Sequence, residues 1–144
     1  MSSSIIDEIK NNNTRLISKI ITDIEYGKFP DKLKVDLYPK TINSVRIGIT
    51  GPPGAGKSTI TDQLINQCLM NKESVGVIAI DPTSPFSGGA LLGDRVRMNK
   101  YHDMNQVFIR SMGNHGQLGG ISIKAHDVAD VLAASGKDLI IFES

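Results

Sequence analysis

The 144-residue chain has a single cysteine, Cys68, no tryptophan, and only 3 Tyr and 4 Phe. With one thiol no internal disulfide can staple the fold, so a crosslinked scaffold is excluded. Charge of one sign is missing too, since 16 Lys and Arg stand against 15 Asp and Glu. That balance, with both signs mixed along the chain, argues against nucleic acid gripped through its phosphates as a partner. No apolar run approaches the roughly 18–20 residues that a membrane-spanning helix needs. Residues 1–10 have neither the basic start nor the long apolar stretch of a targeting signal. The expectation is a soluble protein of a reducing compartment, most simply the cytoplasm, with neither nucleic acid nor membrane as partner. There is no internal repeat, and no low-complexity tract beyond the triplet Asn11, Asn12, Asn13. What is present is 40% hydrophobic residues, and a chain of this size can bury roughly 68% of its unfolded surface, enough for a core without staples.

Ile5, Ile9, Leu16, Ile20 and Ile24, flanked by Ile6, Ile17 and Ile21, fall at a helical spacing that the asparagine triplet interrupts. This predicts two short helices. Gly27 and Pro30 end the pattern, and the connector up to residue 43 has room for one short helical piece over 31–37. Residues 1–43 therefore read as an N-terminal helical extension. From residue 44 the texture alternates, with strands predicted over 45–50, 75–80, 107–110 and 138–142 and helices over 58–70, 94–101 and 121–132. Ile60, Leu64 and Cys68, at i, i+4 and i+8, are the expected buried stripe of the 58–70 helix. Ile121, Ala125, Val128 and Leu132 share a face of the last helix, with Gly136 as its C-terminal cap. The β-branched run over 75–80 suits a strand buried on both faces of a parallel sheet. Residues 82–93 read as a loop and 112–120 as a second glycine-containing stretch. The predicted fold class is α/β, a three-layer arrangement on a parallel sheet, formed by residues 44–144.

Gly51-Pro52-Pro53-Gly54-Ala55-Gly56-Lys57-Ser58 fits G-x-x-x-x-G-K-[ST], and it follows a predicted strand and opens a predicted helix. At average composition the pattern arises by chance in about 0.5% of chains this long, and the strand-loop-helix context makes coincidence rarer still. The glycines let backbone N–H groups turn toward phosphate oxygens without Cβ obstruction, at the positive end of the following helix. The expected phosphate-binding set is Gly51, Gly54, Ala55, Gly56, Lys57, Ser58 and Thr59. Lys57 would reach the β- and γ-phosphates, and Ser58 would offer its hydroxyl to Mg²⁺. The competing reading is a plain Gly/Pro turn with Lys57 solvated.

Asp81 and Glu143 each end an apolar strand, at the carboxyl edge where open α/β sheets bind ligands. Either alone reads as a solvated acid; beside a phosphate loop, each becomes a candidate for holding Mg²⁺ or its waters. Asp94, after the Gly88-Gly89 pair, is explained as well by helix capping. Arg95, Arg97, Lys100 and Arg110 form a basic cluster that reads as a solvated face. His102, His115 and His126 lack the spacing of a zinc site.

Three separated segments then carry a resemblance. They are the 46–58 stretch Arg-Ile-Gly-Ile-Thr-Gly-Pro-Pro-Gly-Ala-Gly-Lys-Ser, the 80–98 stretch with Asp-Pro-Thr-Ser-Pro-Phe-Ser-Gly-Gly-Ala-Leu-Leu-Gly-Asp, and the 108–120 stretch with His-Gly-Gln-Leu-Gly-Gly. In this order they resemble the MeaB/ArgK family of G-protein chaperones that serve adenosylcobalamin-dependent methylmalonyl-CoA mutase. The resemblance implies a P-loop GTPase fold and a homodimer that binds GTP and GDP with Mg²⁺. It also implies coupling of GTP hydrolysis to loading and protection of the mutase's cobalamin. Carried over by motif, Lys57, Asp81, Asp94 and Glu143 are the catalytic set, Ser58, Asp81, Asp94 and Glu143 surround the metal, and residues 81–94 form a switch. Arg95 and Arg97 are candidates for an arginine finger.

Family members continue past Glu143 through Val-Gly-Val-Gly-Gln and the guanine-reading Asn-Lys-x-Asp motif. The sequence here is therefore expected to be part of a longer protein, with an incomplete sheet and apolar surface open to pairing with a second copy. Two other readings stand beside this one: an ATP-dependent P-loop kinase, and a nucleotide-binding fragment that turns nothing over.

Overall fold

The computed structural model describes residues 2–37, 43–52, 54–81, 100–101, 104–113 and 123–144. Two N-terminal helices, α1 (Ser2–Lys10) and α2 (Thr14–Glu25), meet at the asparagine triplet, and α3 (Asp31–Leu37) follows. The triplet is a built corner. Asn12 takes a left-handed φ of 59°, a conformation that Asn tolerates better than most residues, and Asn13 caps α2 by accepting from the Leu16 amide at 3.2 Å. The alternating part then runs β1 (Val45–Ile49), α4 (Lys57–Met70), β2 (Val75–Asp81), β3 (Val107–Gly113), α5 (Ile123–Ala134) and β4 (Leu139–Glu143). Residues 82–99 and 114–122, which hold the expected loop, most of the 94–101 helix, Asp94, Arg95, Arg97 and Ile121, lie outside the described residues.

All strand pairs are parallel, in the order β1-β4-β2-β3. The crossover from β1 to β2 through α4 and the one from β3 to β4 through α5 run in opposite directions across the sheet. Right-handed crossovers then put their helices on opposite faces, and the two apolar clusters follow that division. Ile78, Ile80, Phe108, Met112, Ile140 and Phe142 face one cluster with α5 and the N-terminal helices. Val75, Val77 and Ile141, with the partly buried Ile47, Ile49, Val107, Ile109 and Leu139, face the other with Ile65 and Cys68 of α4. The alternation along each strand is the period-2 pattern of a sheet covered on both sides.

The N-terminal helices belong to the same apolar cluster as α5, with Ile9, Ile17, Ile21, Ile24 and Leu37 buried in it. Polar ties reinforce the packing. Arg110 on β3 donates to Thr22 at 2.9 Å and to Glu25 at 3.2 Å on α2. It is thus a half-buried bridge between layers, where the sequence pattern suggested a solvated charge; its position among apolar strand residues turns it toward α2. Arg46 on β1 reaches Asp130 of α5 at 2.6 Å. At the end of α5 the Gly136 amide donates to Ala133 O and the Lys137 amide to Leu132 O, with Gly136 at φ 95°. These are the two bonds of a Schellman cap, at the predicted glycine. Strand β3 extends three residues past its predicted end because Ser111, Met112 and Gly113 pair with Ala79, Ile80 and Asp81. Among the described residues no helix is long and apolar enough to cross a membrane.

Close approach explains one strand glycine. A Cβ on Gly76 would meet Leu132 Cδ1 at 3.0 Å, so α5 packs where β2 has no side chain. Gly76→Val should therefore destabilise the chain by about 1–3 kcal/mol through overpacking, read as a lower urea midpoint. Lys137 supplies a pH test. Only 2% exposed, it donates from Nζ to Asn12 Oδ1 at 2.8 Å, and burial lowers its pKa, opposed by the Asp138 charge. The unfolded chain then binds the proton more tightly, so between the lowered value and the ordinary one of about 10.4 stability rises with pH. Denaturation across that window should show this rise in the wild type and its loss in Lys137→Met.

Candidate functional site

The carboxyl edge of the sheet is set by pairing. Ile49, the last residue of β1, pairs with Glu143, and Glu143 also pairs with Ala79 of β2. The Ser144 amide donates to Ile49 O at 3.0 Å, extending the ladder by one step. The segment that follows β1 therefore rises directly beside the acid that ends β4. In that segment the Ala55 amide donates to Pro52 O at 3.2 Å, and Gly54 and Gly56 take left-handed φ values of 81° and 93°. Gly56 is also the N-cap of α4 and makes no side-chain cap bond. A left-handed N-cap costs a residue with a Cβ about 1–2 kcal/mol, which accounts for glycine here. The Ile60 amide closes the first helical bond on Gly56 O at 3.1 Å. The amides of Lys57, Ser58 and Thr59 belong to the first turn, which an α-helix leaves without internal acceptors, at the positive end of its dipole.

Three side chains of α4 meet the end of β4. Lys57 Nζ donates to the main-chain oxygen of Ser144 at 2.7 Å. Ser58 Oγ lies 3.5 Å from Glu143 Oε1, at the outer limit of a hydrogen bond. Thr61 Oγ1 lies 2.6 Å from Glu143 Oε2 and 2.9 Å from Lys57 O. The Lys57 ammonium, the Ser58 hydroxyl and the Glu143 carboxylate are thus gathered where the helix dipole is positive, with buried Thr61 bonded to the acid, an arrangement able to take up an anion and an oxygen-ligating cation together. Ser58 and Glu143 suit Mg²⁺ chemically, being hard oxygen donors that face each other; waters and phosphate oxygens usually complete such a sphere. No group of three or more His, Cys, Asp or Glu side chains gathers as a metal cluster among the described residues.

Residues 17–144 match the family model for the methylmalonyl Co-A mutase-associated GTPase MeaB. The chain belongs to the MeaB family. It is 47% identical, over 97% of its length, to a Pyrococcus horikoshii relative named for GTPase activity, covering 44% of that protein. It is also similar to the GTPase ArgK of Escherichia coli, at 40% identity over 75% of the chain and 33% of ArgK. A third relative is the fused isobutyryl-CoA mutase of Cupriavidus metallidurans, at 38% identity over 96% of the chain and 13% of that longer protein. The chain thus spans less than half the length of these relatives.

In this MeaB-family chain the structure brings together Lys57, Ser58 and Glu143 with the glycines and Ala55 of the loop. Asp81 ends β2 opposite Gly113, two residues beyond the Ala79–Glu143 pair; its side chain and all of Asp94 lie outside the described residues. The expected stripe on α4 needs correction. Ile60 is 50% exposed, and the buried positions are Thr61, Ile65 and Cys68, with Leu64 only partly covered. The first two positions of the stripe are shifted by one residue, to Thr61 and Ile65, while Cys68 is buried as expected; a threonine at 61 answers the Glu143 carboxylate. Sequence reasoning overlooked Thr61. The available signal was a hydroxyl residue four positions after the loop lysine, at i−4 from Ile65. Gly56→Ala should cost about 1–2 kcal/mol in urea denaturation and weaken pyrophosphate binding measured by calorimetry.

Proposed function

We infer that this chain forms the phosphate- and magnesium-binding part of a GTPase that acts as chaperone to an adenosylcobalamin-dependent mutase, coupling GTP hydrolysis to loading and protection of the mutase's cofactor. The observation that carries the nucleotide reading is the meeting of the loop after β1 with Glu143 and Lys57 at one sheet edge. Family membership supports GTP as the nucleotide, and the fused mutase relative supports a mutase as the partner. The same reading takes residues 1–43 as the helical extension and 44–144 as nucleotide-binding, works in the cytoplasm and includes a homodimer.

In this reading Gly51, Gly54, Ala55, Gly56 and Thr59 shape the loop whose amides, with those of Lys57 and Ser58, cradle the phosphates. Lys57 swings its ammonium from Ser144 O to the β- and γ-phosphate oxygens, a charge-assisted contact that strengthens as negative charge moves toward the leaving diphosphate. Ser58 and Glu143, with Asp81 and Asp94, would hold Mg²⁺ and its waters. Bound there, Mg²⁺ would offset phosphate charge. Glu143, at the end of a strand buried among apolar neighbours, carries its negative charge where a proton from an attacking water can be accepted or steered. Hydrolysis by such a site rests on positioning and electrostatics, with no covalent enzyme intermediate.

Lys57→Ala should weaken Mg²⁺-dependent GDP binding by about 10- to 100-fold, the loss of one charged hydrogen-bonding partner. Calorimetry with GDP checks the residue, and a comparison of GDP with ADP in a longer form that carries the family's Asn-Lys-x-Asp motif checks the base. Unchanged GDP affinity in the variant, or ADP bound as tightly as GDP by the longer form, would remove this reading.

A further inference from the structure

Resting on the nucleotide-site reading above, we propose that Thr61 is a positioning residue that fixes the Glu143 carboxylate so that one of its oxygens is presented to Ser58. Thr61 is fully buried, on a helix face whose next members, Ile65 and Cys68, are apolar. A hydroxyl taken from water at such a place must find an acceptor or cost stability. It has two, Lys57 O one turn back at 2.9 Å and Glu143 Oε2 at 2.6 Å. Contact with the i−4 carbonyl fixes the β-branched side chain in one rotamer, so the hydroxyl is a fixed point carried by the helix backbone. Of the two acceptors the carboxylate is nearer and charged, and takes the stronger share of the single proton.

The consequence lies on the other oxygen. With Oε2 pinned to α4, Oε1 is the one that lies 3.5 Å from Ser58 Oγ. A glutamate has three side-chain torsions and at a strand end could sample many orientations. Binding to Thr61 removes much of that freedom before any ligand arrives. Ser58 and Thr61 sit on the same helix three residues apart, so a single rigid element sets both the hydroxyl offered to the cation and the orientation of the acid. Thr61 itself touches neither phosphate nor cation; its effect passes through Glu143. The ligand concerned is a divalent cation held with a nucleoside diphosphate.

The test is a Mg²⁺ titration of fluorescent GDP binding in the full chain, with parallel titrations in EDTA. Thr61→Val, which keeps the volume and removes the hydroxyl, should raise the Mg²⁺ concentration for half-maximal tightening by about tenfold, as is usual when a partner of a metal ligand is lost. GDP affinity in EDTA should stay unchanged, and Thr61→Ser should restore the Mg²⁺ response. In a Glu143→Gln background, Thr61→Val should have no further effect. Thr61→Ala gives the same comparison should valine disturb the helix, and circular dichroism verifies folding in each case. A wild-type Mg²⁺ response in the valine and alanine variants, or a loss that adds fully to that of Glu143→Gln, overturns the proposal while leaving the nucleotide reading intact. If the wild type itself binds GDP no better with Mg²⁺ than in EDTA, the nucleotide reading fails and the positioning role falls with it.

Discussion

The parallel pairing of β1 with β4 is the constraint on which the rest depends. Because both strands run the same way, their carboxyl ends are adjacent, and the registers Ile49 with Glu143 and Ala79 with Glu143 fix the acid beside the loop that leaves β1. A one-residue slip of β4 would turn Glu143 to the opposite face, away from α4. The slip is opposed by the apolar alternation. Ile140 and Phe142 belong to the cluster with α5, while Ile141 belongs to the cluster with α4. Side chains of the two apolar clusters therefore set the position of the carboxylate that meets Ser58 and Thr61.

The helical layer on the far face steadies the same strands from behind. Buried isoleucines of α1 and α2 share a cluster with α5 and with the even-numbered residues of β2 and β4. Removing apolar area at this layer would loosen the strands that end at the site. Charged and polar ties, Arg110 to Glu25 and Lys137 to Asn12, join helix ends and turns to the sheet. The Asn12 side chain also donates to Asn105 O at 3.1 Å, so one asparagine in the α1–α2 corner links the segments leading into β3 and β4. The N-terminal helices are thus physically continuous with the core, although their sequence texture differs from that of the alternating part.

Much of this was legible beforehand, for identifiable reasons. The break at the asparagine triplet, the glycine cap after α5 and the glycine loop before α4 are local matters of backbone conformation and capping, encoded within a few residues. The strands were legible from β-branched runs. Less legible were features that depend on a partner distant in sequence. The helical period placed Ile60, Leu64 and Cys68 on one stripe, yet the packed helix is turned so that Thr61 faces the sheet. Hydrophobicity alone favours the isoleucine there; the nearby carboxylate favours the threonine. Arg110 reads as one more surface charge until α2 is seen to lay Thr22 and Glu25 against it.

By itself the sequence determined where most of the described helices and strands lie, the glycine positions of the loop, and the family, because these follow from short-range sterics, periodicity and motif spacing. Only the tertiary structure decided the strand order, the insertion of β4 between β1 and β2, and the contact of Thr61 with Glu143. Those depend on segments distant in sequence, Thr61 and Glu143 lying 82 residues apart, that meet through packing and parallel ladders, whose register no local pattern specifies.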